Sequence, residues 1–187
     1  GIRKFAATPT LFAQRTQPVD KDFIIVPRVS SQARRYVPMG FIKAGTIVTD
    51  SVQVITDASL YEFGVIISNV HMAWMRTVCG RLKSDYRYIK DVVYNNFPWP
   101  EPTEQQKEKI EKTAQAILDA RALYPNSSPA TLYNELTMPP ELRKAHQLND
   151  KAVMEAYGIT KDMEAYRSES ACVALLMEMY KELTQDK

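Results

Sequence analysis

The stretch GRLKSDYRY, Gly80 to Tyr88, alternates charged residues (Arg81, Lys83, Asp85, Arg87) with Leu82, Ser84, Tyr86 and Tyr88. In an extended conformation the charges face one way and the two tyrosines the other. Three cations and one acid on one strip fit the edges of nucleic-acid base pairs. The major groove presents guanine N7 and O6 as acceptors and cytosine N4 as a donor, so a Lys or Arg can donate to the guanine while a neighbouring Asp accepts from its cytosine. Residues two apart on a strand project about 6.5–7 Å from one another, roughly one base-pair edge. Lys83 with Asp85 therefore suits a G·C pair, Arg87 an adjacent pair, and Arg81 a phosphate, which orients without specifying sequence. On residue types alone the simpler expectation is an exposed loop in which Asp85 pairs with its cationic neighbours, since such surface pairs are common and weak.

Further cations lie upstream. Arg28, Arg34 and Arg35 flank Ser30–Gln32, a polar loop between strand-like runs, and suit backbone phosphates or a solvated loop. Tyr86, Tyr88, Tyr94, Phe97 and Trp99 could stack on single-stranded bases, but the simpler expectation is that they pin the segment to a core. His71 and His146 fall among apolar neighbours and are expected to be packed and hydrogen-bonded rather than catalytic.

The elements around these residues change period along the chain. Residues 22–56 read as strands: DFIIVPRV, ended or placed at an edge by Pro27, then RRYVPMGFI, then the alternating GTIVTDSVQVIT. Ser59 and Glu62 form a capping box, and Leu60, Phe63, Ile67, Val70, Trp74 and Val78 recur at three- and four-residue steps. One buried helix is expected from Ser59 to Cys79, with Gly80 as its C′ terminator. NNFPWPEP, Asn95–Pro102, reads as a stiff linker and the domain boundary. Beyond it, helices are expected from the Thr103/Gln106 capping box, from Pro129, from Pro140 to a stop at Gly158, and from Ser168. The fold class is α+β: a mixed strand and helix domain over residues 1–100, then an all-helical domain over residues 101–187.

The 187 residues suffice for a core, and no run of about 18 apolar residues predicts a membrane span. No secretory signal is visible, and the abrupt start GIRKF reads as a cut in a longer chain with Gly1 a tag remnant. Two distant cysteines, Cys79 and Cys172, fit reduced thiols inside helices of a cytosolic protein, and with only two histidines a structural zinc site is not expected. Residues 1–100 hold 13 Lys/Arg against 7 Asp/Glu (+6) and residues 101–187 hold 11 against 15 (−4), which sum to the net +2. A basic half beside an acidic half suggests that one part meets a polyanion.

Several chemistries are missing. No two glycines are separated by one residue, so there is no GxG turn for a dinucleotide or S-adenosylmethionine and no phosphate-cradling loop. No lysine follows an acid by two positions, as the (D/E)-x-K arm of a metal-dependent nuclease requires, and there is no GxSxG elbow. MPPE, Met138–Glu141, lacks the flanking residues of an amino-methyltransferase site.

The strings PRVSSQARRYVPMGF, FGVIISNVHMAWMRTVCGRLKSDYRY, VVYNNFPWPEPT and ARALYPNSSPATLYNELTMPPELRKAHQLNDKAVMEAYG resemble the C-terminal region of MmeI-like DNA methyltransferases. These are single-chain restriction–modification proteins in which nuclease, adenine methyltransferase and target recognition follow one another. The resemblance runs from about Thr8 to the last helix. It implies a target recognition domain, open to being incomplete at its N-terminal side, and a helical C-terminal domain. It places Lys83, Asp85, Arg87 and Ser51 where family members vary with the bases recognised. It also implies no cofactor or catalysis in this stretch. S-adenosylmethionine, and Mg where a nuclease is present, would act in upstream parts of a bacterial or archaeal cytoplasmic protein. The implied partners are duplex DNA and the upstream methyltransferase domain. An alternative of another class is a helical interaction module docking RNA or an acidic protein through the basic half.

Overall fold

The run Phe23–Ser30 carries the first half of the molecule, because it belongs to two sheets in turn. In the computed structural model, which describes residues 17–185, β1 (Phe23–Pro27) is the central strand of an antiparallel sheet. Its neighbours are β3 (Gly40–Ile42) and β4 (Val52–Ile55), in the order β3-β1-β4. Phe23, Ile24 and Val26 are buried, as a β-rich central strand requires. Pro27, which has no N–H to give the ladder, is the last residue of β1. The chain bends at Arg28 and continues as β2 (Val29–Ser30) in a second sheet with β6 (Asp85–Arg87) and β5 (Gly80–Leu82), in the order β2-β6-β5.

The expected strand RRYVPMGFI is extended only over Gly40–Ile42, and GTIVTDSVQVIT only over Val52–Ile55. Tyr36, Val37 and Met39 are nonetheless buried. Their backbone is occupied locally, with Met39 N–H donating to Val37 O at 2.8 Å, and Pro38 between them offers no donor.

The single helix expected over Ser59–Cys79 is two helices, α1 (Leu60–Ile66) and α2 (Asn69–Val78). The Ser59/Glu62 capping box opens α1. The break is Ser68, whose extended backbone and side chain cap α2: Oγ accepts from His71 N–H at 3.4 Å and donates to Val65 O at 2.7 Å. A serine that can bond the backbone in non-helical geometry competes with helix continuation, and apolar periodicity does not register this. Gly80 is not a left-handed terminator either. Cys79 is extended, and Gly80 enters β5 directly, paired with Arg87. Cys79 is thus a half-buried residue at the helix end, whereas Cys172 is buried within a helix.

A short helix not anticipated from the sequence, α3 (Lys90–Val93), precedes the proline-rich segment. That segment is fastened rather than free: Phe97 is buried, and Pro98 O accepts from Tyr157 OH at 2.7 Å. The helices that follow are α4 (Glu104–Ala122), capped by Thr103 and Gln106, α5 (Pro129–Leu132), α6 (Pro140–Ala156) and α7 (Glu169–Gln185). Gly158, at φ +69°, follows the C-cap of α6. α4 packs along α6, α1 lies against α4, and α7 covers α2. One core therefore runs through both halves, joining Ile24, Phe63, Met72 and Trp74 to Ile110, Ile117, Leu142 and Leu176. Arg121 ties them again, donating from Nη1 to Met39 O at 2.7 Å and from Nε to Tyr133 OH at 2.8 Å.

Candidate functional site

β5 and β6 form a hairpin whose two-residue turn is Lys83–Ser84, with Leu82 opposite Asp85, Arg81 opposite Tyr86 and Gly80 opposite Arg87. The charged series is therefore not one extended strip. Lys83 has φ +56°, a left-handed conformation that lets a two-residue turn follow strand twist and that a non-glycine residue adopts at a cost. Residues opposite one another share a face, so Asp85, Arg87 and Leu82 lie on one face while Arg81 lies with Tyr86 on the other. The guanidinium of Arg81 sits 4.0 Å from the Tyr86 ring centroid, and its Nη1 donates to Ser84 O at 3.0 Å. Arg81 thus braces the turn from behind.

Lys83 is exposed at the tip. Asp85 is half-buried, and its Oδ1 accepts from the backbone N–H of Gln32 at 3.3 Å. Among the described residues Asp85 forms no ion pair with Arg81, Lys83 or Arg87. Gln32 escaped sequence reasoning as a contact because it lies 53 positions from Asp85. The polar character of Ser30–Gln32 was the only signal there. Arg87 is exposed and stands opposite Val29 of β2.

The bend between the two sheets brings the other residues alongside. Arg28 donates its N–H to Ser51 O at 2.9 Å, and its own carbonyl accepts from Tyr88 N–H at 2.8 Å. Ser51 is exposed, with its Oγ 2.6 Å from Thr49 Oγ1. Ser51, Arg28, Val29 and Arg87 consequently form one continuous backbone neighbourhood, with Lys83 and Asp85 at its end. Arg34 and Arg35 do not join it. Arg34 closes a turn onto Ser31 O at 3.1 Å. Arg35 turns toward α2, with Nε 3.4 Å from Asn69 Oδ1 and its guanidinium 5.6 Å from the Tyr36 ring centroid.

The aromatic residues anchor this surface. Tyr86, Tyr88 and Phe97 are buried, and Tyr94 and Trp99 pack partly against the core, so none is an open base-stacking platform. Both histidines are interior. His71 Nε2 lies 3.0 Å from Tyr88 OH, and burial pushes its pKa down to about 3. His146 Nε2 lies 2.8 Å from Tyr133 OH and its ring stacks on Tyr36 at 4.1 Å; burial first, then Arg121 and Arg35, hold its pKa well below the ordinary value. Among the described residues there is no cluster of His, Cys, Asp and Glu able to hold a metal ion, and no helix long and apolar enough to cross a membrane.

Comparison with known proteins finds two families that match the chain. Residues 1–101 match the family described as "MmeI, target recognition domain" and residues 102–186 the family described as "MmeI, C-terminal domain". The chain is 40% identical over 185 residues to "DNA methyltransferase A" of Bacillus subtilis (strain 168), covering 99% of this chain and 20% of that protein. It is also similar to a solved chain described as "Structure of Type IIL restriction-modification enzyme MmeI in complex with DNA has implications for engineering of new specificities". The TM-score is 0.89 at 44% identity, over 98% of this chain and 24% of that one. The chain therefore spans between a fifth and a quarter of the length of these relatives. It belongs to the MmeI family, as a target recognition domain followed by a C-terminal domain.

Proposed function

We propose that this chain is the sequence-reading region of an adenine-N6 DNA methyltransferase of the restriction–modification type, and that it reads base edges in the major groove of duplex DNA. Residues 1–100 are the recognition domain and residues 101–187 the helical support. The observation that carries the reading is the state of Asp85. Its carboxylate is oriented by the Gln32 N–H, unpaired with the cations around it, and set beside an exposed Lys83 at a hairpin tip. A two-stranded ribbon can enter the major groove, where Asp85 would accept from cytosine N4 and Lys83 would donate to guanine. Arg87 and Ser51 reach neighbouring positions and Arg28 serves an adjacent phosphate. Arg34 and Arg35, set apart from the hairpin, would serve phosphates further along the duplex. Arg81, held on the opposite face by the Tyr86 ring and Ser84 O, braces the hairpin instead of the phosphate first expected for it. The catalytic steps, with S-adenosylmethionine and, where a nuclease is present, Mg, belong to the upstream part of a cytoplasmic bacterial or archaeal protein. This chain has no activity of its own and docks on that upstream methyltransferase domain.

The test is to map methylated adenines in DNA from cells carrying the full-length protein, with and without the Lys83→Glu, Asp85→Arg pair. A change at one position of the methylated sequence, with folding kept, is expected. An unchanged sequence rejects the base-reading role. RNA or an acidic polypeptide outcompeting duplex DNA in a salt titration would favour the interaction-module reading of the basic half.

A further inference from the structure

The loop that orients Asp85 through Gln32 ends three residues later at Arg35, on the rim of a cavity of about 420 Å³ between the two halves of the chain. α2 contributes Asn69 and Arg76 to it, and the opposite wall is Arg167, Ser168 and Glu169 at the amino end of α7. Its cations differ in how far they are committed. Arg76 is spent: Nε and Nη2 bind Glu169 at 2.8 and 3.0 Å, and Nη1 donates to Arg35 O at 3.0 Å. Asp150, buried beneath, is spent as well, with one oxygen accepting from Tyr36 OH and the other from Asn69 N–H, each at 2.7 Å.

Arg35 and Arg167 are different. Both are exposed, and neither forms an ion pair among the described residues. Arg35 is held lightly, by Asn69 Oδ1 at 3.4 Å and by the Tyr36 ring, whose centroid lies 5.6 Å from its guanidinium. Ser168 Oγ accepts from Ala171 N–H at 3.3 Å, while the N–H groups of Glu169 and Ser170 in the first turn have no intrahelical acceptor. Two guanidinium groups that have no carboxylate partner among the described residues, both lining a concave site beside a helix amino end, match a tetrahedral oxyanion. From Gln32 to Arg35 the chain reaches at most about 10 Å, or roughly three steps along one DNA strand.

We infer that this cavity seats a backbone phosphate of the DNA lying on the hairpin, clamped by Arg35 and Arg167. The helical half thereby contributes to DNA contact directly, and the phosphate fixes how the hairpin is aligned along the groove. The inference rests on the duplex-reading function proposed above.

The test measures duplex binding by the full-length protein across a salt series, for wild type, Arg167→Gln and Arg167→Lys. Losing one phosphate contact lowers the magnitude of the log–log salt slope by about 0.9. Arg167→Gln is expected to show that loss and several-fold weaker binding at fixed salt, with the methylated sequence and the melting temperature unchanged; Arg167→Lys should recover the slope. An unchanged slope in Arg167→Gln, and again in the Arg35→Gln, Arg167→Gln pair, overturns the inference. Inorganic phosphate provides the second arm. If it binds in an Arg167-dependent manner while the duplex slope stays fixed, the site takes free phosphate and the inference also fails. Failure of the functional reading appears elsewhere, as an unaltered methylated sequence in the Lys83→Glu, Asp85→Arg protein.

Discussion

Asn149 of α6 donates its side-chain amide to the carbonyl oxygen of Gly64 in α1, 2.7 Å away, with both residues buried. The contact closes one of the tightest approaches in the fold. A Cβ on Gly64 would lie 2.6 Å from Ile110 Cγ2, 3.1 Å from Ala114 Cβ and 3.1 Å from Asn149 Oδ1. Recognition half and helical half thus meet backbone to side chain, so the surface carried by the first is held by the second. Gly64→Ala is expected to destabilise the chain by about 1–3 kcal/mol through overpacking. Asn149→Leu should cost a similar amount by leaving the Gly64 carbonyl without its donor, about 1–3 kcal/mol. Urea midpoints for the two single variants and the pair measure this. Because both act on one contact, the pair should fall short of the sum.

Arg121 makes the second tie and does so with a planar fork, reaching Met39 O and Tyr133 OH together. A lysine keeps the charge but cannot hold both acceptors in that geometry. Arg121→Lys should therefore lower stability by about 1–3 kcal/mol despite the retained charge. A melting temperature equal to wild type would show that the fork contributes nothing beyond charge.

Lys83 combines a structural cost with a proposed reading role, and one substitution separates them. Glycine adopts φ +56° without the Cβ penalty. Lys83→Gly should hold stability or raise it by up to about 1 kcal/mol, since the relief is partly offset by a looser unfolded chain. In the full-length protein the same change should relax the preference at one base pair. Paired melting and methylation-site mapping give the two readings, and retained selectivity in a well-folded Lys83→Gly protein would count against a lysine contact.

How far this was legible in the sequence depends on the interaction concerned. Capping boxes at Ser59/Glu62 and Thr103/Gln106, the Pro129 and Pro140 starts and the Gly158 stop are local, and each was recoverable because its donor and acceptor lie within a few residues. Ser68 defeated the pattern because an apolar stripe continues across a break that a single hydroxyl creates. The hairpin at Lys83–Ser84 was hidden for a related reason. Lys-Ser carries no glycine or asparagine to announce a left-handed turn, so the alternation of Arg81 to Arg87 looked like one strand. Residue types at the candidate site were readable, whereas their arrangement was not. Gln32 with Asp85, and Arg28 with Ser51, depend on pairings between distant segments that no local rule encodes.

The buried titratable groups make opposing predictions about acid. Burial raises the Asp150 carboxyl from 3.8 to about 6, with the Asn69 N–H, the Tyr36 hydroxyl and the nearby Arg35 and Arg76 pulling it back only in part. Between those values the folded chain keeps a proton that the unfolded chain has released, so this group's contribution to stability falls as pH rises through the window. Burial lowers His71 from 6.5 to about 3, and His146 shifts the same way. Below pH 6.5 the unfolded chain takes up protons that the folded chain refuses, so the histidines' contribution falls as pH falls. Two histidines against one carboxylate give net destabilisation on acidification. Asp150→Asn removes the compensating group and should steepen the loss between pH 6 and pH 4. His71→Gln, which keeps a hydrogen-bonding group near Tyr88, should flatten it. Urea unfolding at intervals from pH 4 to 7 measures both slopes, and parallel profiles for all three proteins would mean that neither buried group controls the acid limb.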